Sequence, residues 1–544
     1  MPKSCVRLST VEAIPPREKE PSLSRTTEHR AGLAEWAGLA VLALPTVLLG
    51  LDVTILHLAL PSLAVDLRPS STQELWIVDA YGFLIAGFLI TMGTLGDRIG
   101  RRRLLMIGGV AFALASLMAA YSTSAEMLIA ARAALGVAGA TLMPSTLALI
   151  SNMFADARQR ALAIGLWATF FAFGMAAGPL VGGILVEYFW WGASFLPALP
   201  MVGIMLLAAP LVLPEYRAPH SGRIDLFSVA LSLAAILPII YGIKQFSKDG
   251  LQPYVVGAFV AGLVFAVVFV RRQRVLTDPL LDVGLFRNRA FIVALGMMLA
   301  GLVGVGGTMF LVTQYLQLVE SVPPLTAGLL YGPPALMMML SSIVAPLVAQ
   351  RIRPGYVVAC VLAISSGGYV LLAFVESTHG VPMVVIAFSL VYLGLGVIAA
   401  LGTDLVVGAA PPEKAGSASA MSETVQELGL AAGIALLGSL ATAVYRVQIS
   451  EELPTGLPTD VAHSFGDSLS GAVSVADRMP AGPLEQAREA FTAGVNIAGA
   501  TGAAAILALA VLSAVTLRHI GTIGGAEATS ADERAGEPIG EPAK

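Results

Sequence analysis

Asp52, Asp79, Arg132, Asp404 and Glu423 stand inside runs that are otherwise apolar enough to cross a bilayer. An isolated acid in hydrocarbon costs a few kcal/mol or more, so it normally faces a water-filled cavity or an ionic partner. A carboxylate that is desolvated and then approached by a cation is suited to exchanging a proton for that cation. Trp76, Tyr81, Trp167, Phe170, Phe171 and Phe173 offer flat faces for stacking on a lipophilic cation, although belt or packing roles fit most of them equally well. His57 reads as a proton relay or as a hydrogen-bonded packing residue. Trp190 and Trp191 read better as an outer-face belt. Covalent chemistry has no matching constellation: there is no GxxxxGK[ST], no HExxH, and no Ser/His/Asp or Cys/His set near one membrane face. Cys5 and Cys360 are the only cysteines, which leaves neither a disulfide framework nor a thiol metal site. No enzyme activity, cofactor, metal or nucleic-acid partner is expected.

The elements that must position these groups are helices. The chain has 544 residues, 56% hydrophobic and 12% charged, with a mean hydropathy of +0.80, the profile of an all-α polytopic membrane protein. Fourteen apolar runs of spanning length are expected between residues 38 and 517. With both termini cytoplasmic, the inner segments hold 25 Lys and Arg against 6 in the outer loops, an imbalance that sets the orientation. The expected organisation is a disordered cytoplasmic tail (1–37), a six-helix bundle (38–213), an inserted helix pair (225–271), a second six-helix bundle (291–517) and a disordered cytoplasmic tail (518–544). The amino-terminal tail is polar and basic, and is not read as a signal peptide. The external loop 446–492 is expected to form a helical hairpin, with arms near Asp460–Arg478 and Leu484–Phe491, over the outer face.

Depth in the membrane decides which groups share a cavity. At about 1.5 Å per residue, Asp52 lies roughly 15 Å below the outer end of span one, Arg132 about 8 Å below that of span four, and Asp79 about 6 Å below that of span two. An arginine side chain spans the difference, so an Asp52–Arg132 pair is expected, either as a coupling site or as a buried structural pair. Glu423 lies about 9 Å above the inner end of span thirteen, in the opposite bundle. Asp79 and Glu423 serve either a cation site or polar helix contacts. Asp404 fits either a second cation site or a place near the inner interface.

Two motifs frame these groups. The turn Gly93, Leu95, Asp97, Arg98, Gly100, Arg101, Arg102, Arg103 fits GxLxDRxGRRR in full, and its glycines and acid are superfluous for topology alone. It resembles the cytoplasmic signature of the major facilitator superfamily, whose Asp bonds a neighbouring helix and whose Arg residues hold two bundles together in the outward-open state. Span five carries Gly174, Gly178, Pro179, Gly182 and Gly183 as GxxxGPxxGG, which gives either a hinge or a sealed small-residue helix contact. The string is similar to the antiporter motif of the same superfamily.

Further strings, LDVTILHLALP at 51–61, LWIVDAY at 75–81, RAALGVAGA at 132–140, DPLLDVGLFRNRAF at 278–291 and KAGSASAMSETVQELG at 414–429, resemble the fourteen-span drug:proton antiporters. His57 stands where that family usually has Asn. The resemblance implies a bacterial inner-membrane exporter, set in the lipid bilayer and driven by protons, that takes lipophilic, mainly cationic drugs such as quaternary ammonium compounds, dyes and antiseptics from the cytoplasm or inner leaflet by alternating access. The chain is expected to act as a monomer. It implies proton coupling through Asp52, Arg132, Asp79 and Glu423, cargo contacts at Asp79, Glu423, Trp76, Tyr81, Trp167, Phe171 and Met338, and gating by the two glycine motifs. Export of a self-made antibiotic, lipid or metabolite is the alternative within transport, and a non-transporting sensor or scaffold is the alternative outside it. Relatives that export divalent compounds can carry an acid in span ten, where this chain aligns Met338, so monocations are expected to be preferred over rigid dications.

Overall fold

Chain this apolar crosses a bilayer only with its backbone hydrogen bonds made internally, which for a single segment means an α-helix. The computed structural model describes residues 31–69, 71–217, 225–276, 279, 281, 283–411, 414–452, 459–476, 482–518 and 521–522. Of His57, Asp79 and Pro179 it describes the backbone alone. Most of the two expected tails therefore lies outside the described residues. Among the described residues there is no β-strand, and 14 helical stretches are long and apolar enough to span a membrane.

Six spans form the first group: α1 (Leu33–Leu67), α2 (Ser71–Ile99), α3 (Arg101–Ala120), α4 (Ala125–Met153), α5 (Ala157–Tyr188) and α6 (Ala198–Val212). α7 (Leu226–Asp249) and α8 (Pro253–Gln273) follow as a pair. The second group starts with α9 (Arg289–Gln314), then a span broken into α10 (Pro324–Leu330) and α11 (Gly332–Ala349), then α12 (Pro354–Leu372). Its next span is α13 (Val381–Val397), which runs through a π-helical turn at Ile398–Gly402 into α14 (Thr403–Gly408). α15 (Ala415–Glu452) is followed by the short α16 (Thr459–Asp467) and α17 (Leu469–Ser474), and α18 (Pro483–Thr516) closes the group.

Within the first group α1 lies on α5 and α2 on α4; within the second α9 lies on α15 and α12 on α18. The groups meet along two seams, α2 against α15 and α5 against α11. α7 packs on both α2 and α15, so the inserted pair covers the first seam. Its anchor is a charge clamp at the membrane face, where Arg272 Nε donates to Asp225 Oδ2 at 2.7 Å and Ser228 donates to the same oxygen. The Arg272 hydrogen bond, aided by Ser228, holds the Asp225 carboxyl down at about 2, so the clamp stays ionised across the physiological range.

Tertiary contacts show that successive spans alternate in direction. Ala31 meets Gln159, Arg102 meets Leu213, Asn288 meets Ala409 and Arg353 meets Arg518 at the arginine-bearing end. Trp191 meets Asp66, Trp190 meets Ala120, and Arg488 meets Leu318 at the other. Near that second end the structure departs from the expected hairpin. Leu484–Phe491 is no separate arm but the first turns of α18, because no breaker follows Pro483 and Ala487, Ala490 and Phe491 are buried. The short α16 is tied down instead by Tyr445, whose hydroxyl donates to the Phe465 carbonyl at 2.7 Å.

The glycine string of α5 is a sealed contact. A Cβ on Gly174 would run into the Val47 carbonyl, one on Gly178 into the Thr54 hydroxyl, and one on Gly182 into Ile55. Gly50 on α1 answers with the same closeness to the Phe171 carbonyl, and Thr54 Oγ1 donates to the Met175 carbonyl at 3.0 Å. The two helices touch backbone to backbone, where small residues maximise dispersion contact in a solvent that supplies no hydrophobic drive. Gly178→Leu is therefore expected to destabilise the fold by about 3 kcal/mol or more through overpacking, seen as loss of the monodisperse peak and a lower Tm. Gly203→Leu, where a Cβ would meet nothing within 4 Å, is expected to leave both unchanged.

Candidate functional site

Three helices of the first group converge on one guanidinium. Ser124 caps α4 by accepting from the Met127 amide at 3.2 Å, which starts the helix two turns before Arg132. One turn further on, Gly136 lets α4 press against the Tyr81 backbone of α2. Arg132, 2% exposed, donates through Nη1 to Asp52 Oδ2 on α1 at 2.8 Å and through Nε to the Ile77 carbonyl on α2 at 3.1 Å. Its guanidinium carbon stands 4.5 Å from the centre of the Tyr81 ring. The arginine thus has an anion, a carbonyl dipole and an aromatic face as neighbours. The Tyr81 hydroxyl is buried and has no hydrogen-bond partner among the described residues. An unsatisfied buried hydroxyl costs about 1–3 kcal/mol, so it marks a place where a further polar group is favoured.

Across the α2–α15 seam stand two carboxylates. Glu423 is 3% exposed and accepts from Gln426 of its own helix at 3.1 Å. Glu427, one turn on, is close enough to act electrostatically on both Glu423 and Tyr81. Asp52, Arg132, Tyr81, Glu427 and Glu423 therefore form one connected electrostatic group reaching from the first bundle to the second. Sequence reasoning misses Glu427 although its signal is present: a second acid at i+4 on an apolar span lies on the same helix face as the first.

The other expected cargo residues scatter. Trp167 is buried and donates to Thr146 at 3.1 Å, a packing contact between α5 and α4. Phe171 is half-buried at the α1–α5 contact, and Trp76 is 42% exposed, with its ring 5.8 Å from that of Phe83. Met338 is buried, and its backbone carbonyl lies over Gly396 of α13. The side chains of Asp79 and His57 lie outside the described residues. With Glu427 beside Glu423, the lack of an acid at Met338 no longer argues by itself against dications.

At the arginine-bearing end the GxLxDRxGRRR turn docks on the second bundle. Asp97 accepts from Arg101 Nε at 3.0 Å and from the backbone N–H of Ser417, in the first turn of α15, where the helix dipole favours an anion. Arg101 is fully buried, and its guanidinium lies so close to Gly96 and Gly416 that a Cβ on either would collide. Gly93 fits against Ala420 and the Gly416 carbonyl. Gly100 has φ +110°, which an L side chain rarely adopts, and a Cβ there would also meet Glu215. That turn frees Arg102 to bond the Leu213 carbonyl at 2.9 Å and to pair with Glu215 at 3.5 Å. Arg98 is buried with the rest. The bundles are thus closed at this end by backbone, glycine and one buried ion pair.

Comparison with known proteins agrees with this architecture. The model of the Major Facilitator Superfamily matches residues 42–434. The multidrug efflux pump LfrA of Mycolicibacterium smegmatis is 41% identical over 92% of this chain and 99% of its own length. The methyl viologen resistance protein SmvA of Salmonella typhimurium is 33% identical over 88% of this chain and 97% of its own. Among solved structures, the human organic anion transporter MFSD10 shares the fold with a TM-score of 0.58 at 17% identity, covering 88% of this chain and 99% of that one.

Because Asp97 and Arg101 touch the seam and stand at the far end from the Asp52–Arg132 pair, their loss is expected to alter the balance of conformers more than ligand contacts. Asp97→Asn should lower maximal transport rate at least about tenfold while changing ligand affinity less than about threefold. Binding and transport measured on the same purified variant check this. A large loss of affinity at normal maximal rate would contradict it.

Proposed function

The chain belongs to the Major Facilitator Superfamily, and from that premise we propose that it is a proton-coupled antiporter. Its proposed cargo is lipophilic, mainly cationic compounds, such as quaternary ammonium compounds, dyes and antiseptics, taken from the cytoplasm or inner leaflet. The observation that carries this reading is the buried Asp52–Arg132 pair beside Tyr81, with Glu427 of α15 close enough across the bundle seam to act on Tyr81 and Glu423 one turn before it on the same helix. The relatives named for multidrug efflux and methyl viologen resistance support a small-molecule, cationic cargo. Methyl viologen carries two positive charges, and two carboxylates one turn apart suit such a ligand.

In the proposed cycle the arginine-bearing end is cytoplasmic, as the positive-inside rule requires, and the protein lies in a bacterial inner membrane with both termini inside. The conformation described above is then the one with its cytoplasmic mouth shut. In it Asp52 is held by Arg132 at 2.8 Å. A proton arriving from outside neutralises Asp52 and weakens its hold on Arg132, which keeps the Ile77 carbonyl and the Tyr81 ring. Reopening to the cytoplasm lets an organic cation settle against Glu423 and Glu427. Its positive charge favours loss of the proton from Asp52 to the cytoplasm, and Arg132 recaptures the carboxylate as the mouth closes. Cargo and proton thus exclude each other electrostatically, which is what couples their opposite movements. Asp79 joins the cation site in this reading, and one chain suffices for the cycle.

Inverted membrane vesicles test the proposal. Ethidium accumulation should collapse when a protonophore is added and should be indifferent to ATP once the proton gradient is clamped. Asp52→Asn should abolish uphill accumulation, because no titratable group remains opposite Arg132. Glu427→Gln should reduce transport of a bis-quaternary dication several-fold more than that of ethidium, a difference of about 1 kcal/mol or more. Accumulation that persists with the protonophore, or full uphill transport by Asp52→Asn, would contradict the coupling scheme.

A further inference from the structure

A second charged contact joins the two bundles at the arginine-bearing end, and it belongs to neither glycine motif. Arg160 Nε, in the first turn of α5, pairs with Asp404 Oδ1 on α14 at 3.3 Å. The Asp404 side chain is 7% exposed and that of Arg160 is 23% exposed, so the contact sits at the lip of the interface rather than on open surface. We propose that Arg160 and Asp404 are positioning residues of the transport cycle, a latch that closes the cytoplasmic mouth and must break before it opens.

Each partner is rigidly tied to its own bundle. On the first side, Asp156 caps α5 by accepting from the Arg158 and Gln159 amides, and Gln159 in turn accepts from the Ala31 amide at 2.7 Å. Arg160 thus projects from a helix start fixed to the chain just before α1. On the second side, Asn288 donates to the Ala409 carbonyl at 3.2 Å, tying the end of α14 to the start of α9. Force applied across the ion pair is therefore transmitted between whole bundles.

Local geometry places the acid for this contact. The π-helical turn Ile398–Gly402 ends one residue before α14 begins and two before Asp404. A π turn accommodates one extra residue, which rotates everything after it by about 100° relative to an uninterrupted α-helix. The same π turn lies in contact with α5. Without it, the face of α14 that meets Arg160 would present a different residue. Gly408 completes the seat: a Cβ there would come within 3.3 Å of Arg160 Nη2, so the guanidinium rests near the carboxy-terminal end of the span, where the helix dipole favours a cation.

The pair differs from the Asp97–Arg101 contact in kind. Asp97 and Arg101 lie in one bundle and reach the other through backbone and glycine. Arg160 and Asp404 have one charge in each bundle, so separation of the bundles must separate the charges. When the mouth opens, Asp404 is left in its wall as an uncompensated carboxylate at low solvent exposure, an arrangement that favours reclosure. The latch therefore sets how long the cytoplasmic side stays open, whatever the cargo.

The test is a distance measurement between bundles in the full-length protein reconstituted in nanodiscs. Spin labels are placed at Ala155→Cys and Ile352→Cys, both exposed at this end, in a Cys5→Ser, Cys360→Ser background. Arg160→Gln and Asp404→Asn are each expected to raise the ratio of long to short distances roughly fivefold, the size of effect one partly exposed ion pair can exert. Reversing the pair, Arg160→Asp with Asp404→Arg, is expected to restore the short distance, and Asp404→Glu to keep most of it. Variants that elute as aggregates are replaced in the comparison by Asp404→Glu and the reversed pair, which preserve both charges. Single variants with the unaltered distance distribution would overturn the latch. So would a reversed pair that stays as open as the singles, or an Asp404→Asn that weakens dication binding without changing the distances.

Discussion

A guanidinium cannot be left alone in a low-dielectric interior, and the arrangement of the first bundle follows from where Arg132 finds its partners. Its anion comes from α1, its carbonyl and its aromatic face from α2, and its own helix is α4. Removing one member of such a buried pair typically costs about 3–5 kcal/mol, because the other charge stays behind. That cost fixes the relative depth and rotation of three helices far more tightly than apolar packing, which in lipid has little hydrophobic drive. In the proposed cycle it is this anion that an incoming proton removes.

Glycines divide the molecule into what moves and what does not. Gly50, Gly174, Gly178 and Gly182 press α1 onto α5 within one bundle, where hydroxyl and carbonyl contacts lock the approach. Gly93 and Gly416 press α2 onto α15 between bundles, where the closure rests on backbone, one buried carboxylate and the Arg101 plane. The first contact leaves no room for rearrangement; the second is a thin seam whose polar groups could be rehydrated when the bundles part. Rocking of rigid bundles around a midplane site is what the proposed cycle asks of this division. α7, lying across the α2–α15 seam, shields it from lipid while leaving the α5–α11 seam uncovered by the inserted pair.

Much of this is legible in the sequence because it depends on local spacing and depth. Fourteen apolar runs and the meeting of Asp52 with Arg132 follow from hydropathy and a rise of about 1.5 Å per residue, and the docking of the turn at residues 93–103 is what its resemblance to the superfamily's cytoplasmic signature implies. What is not legible depends on events that break those rules. Asp404 cannot be assigned from sequence because the π turn before it changes the helix register, and no sequence pattern announces that extra residue. The partner role of Ser417 is hidden because it is played by a backbone N–H. Leu484–Phe491 reads as a loop arm because its acids and amides break the apolar run, although helix propensity carries α18 straight through them. The glycines of span five fit a hinge and a contact equally well in sequence, and Thr54 with the α1 carbonyls packed against them decides for the contact.

Mutual exclusion of cargo and proton at the Asp52–Arg132 network is the central claim, and it can be measured without any membrane gradient. Purified protein in weakly buffered detergent solution, with a pH indicator present, is titrated with ethidium. In the proposed cycle binding releases protons in an amount approaching one per chain, and Asp52→Asn binds ethidium with that release abolished. Binding to the unaltered protein with no proton release, or undiminished release from Asp52→Asn, would contradict it.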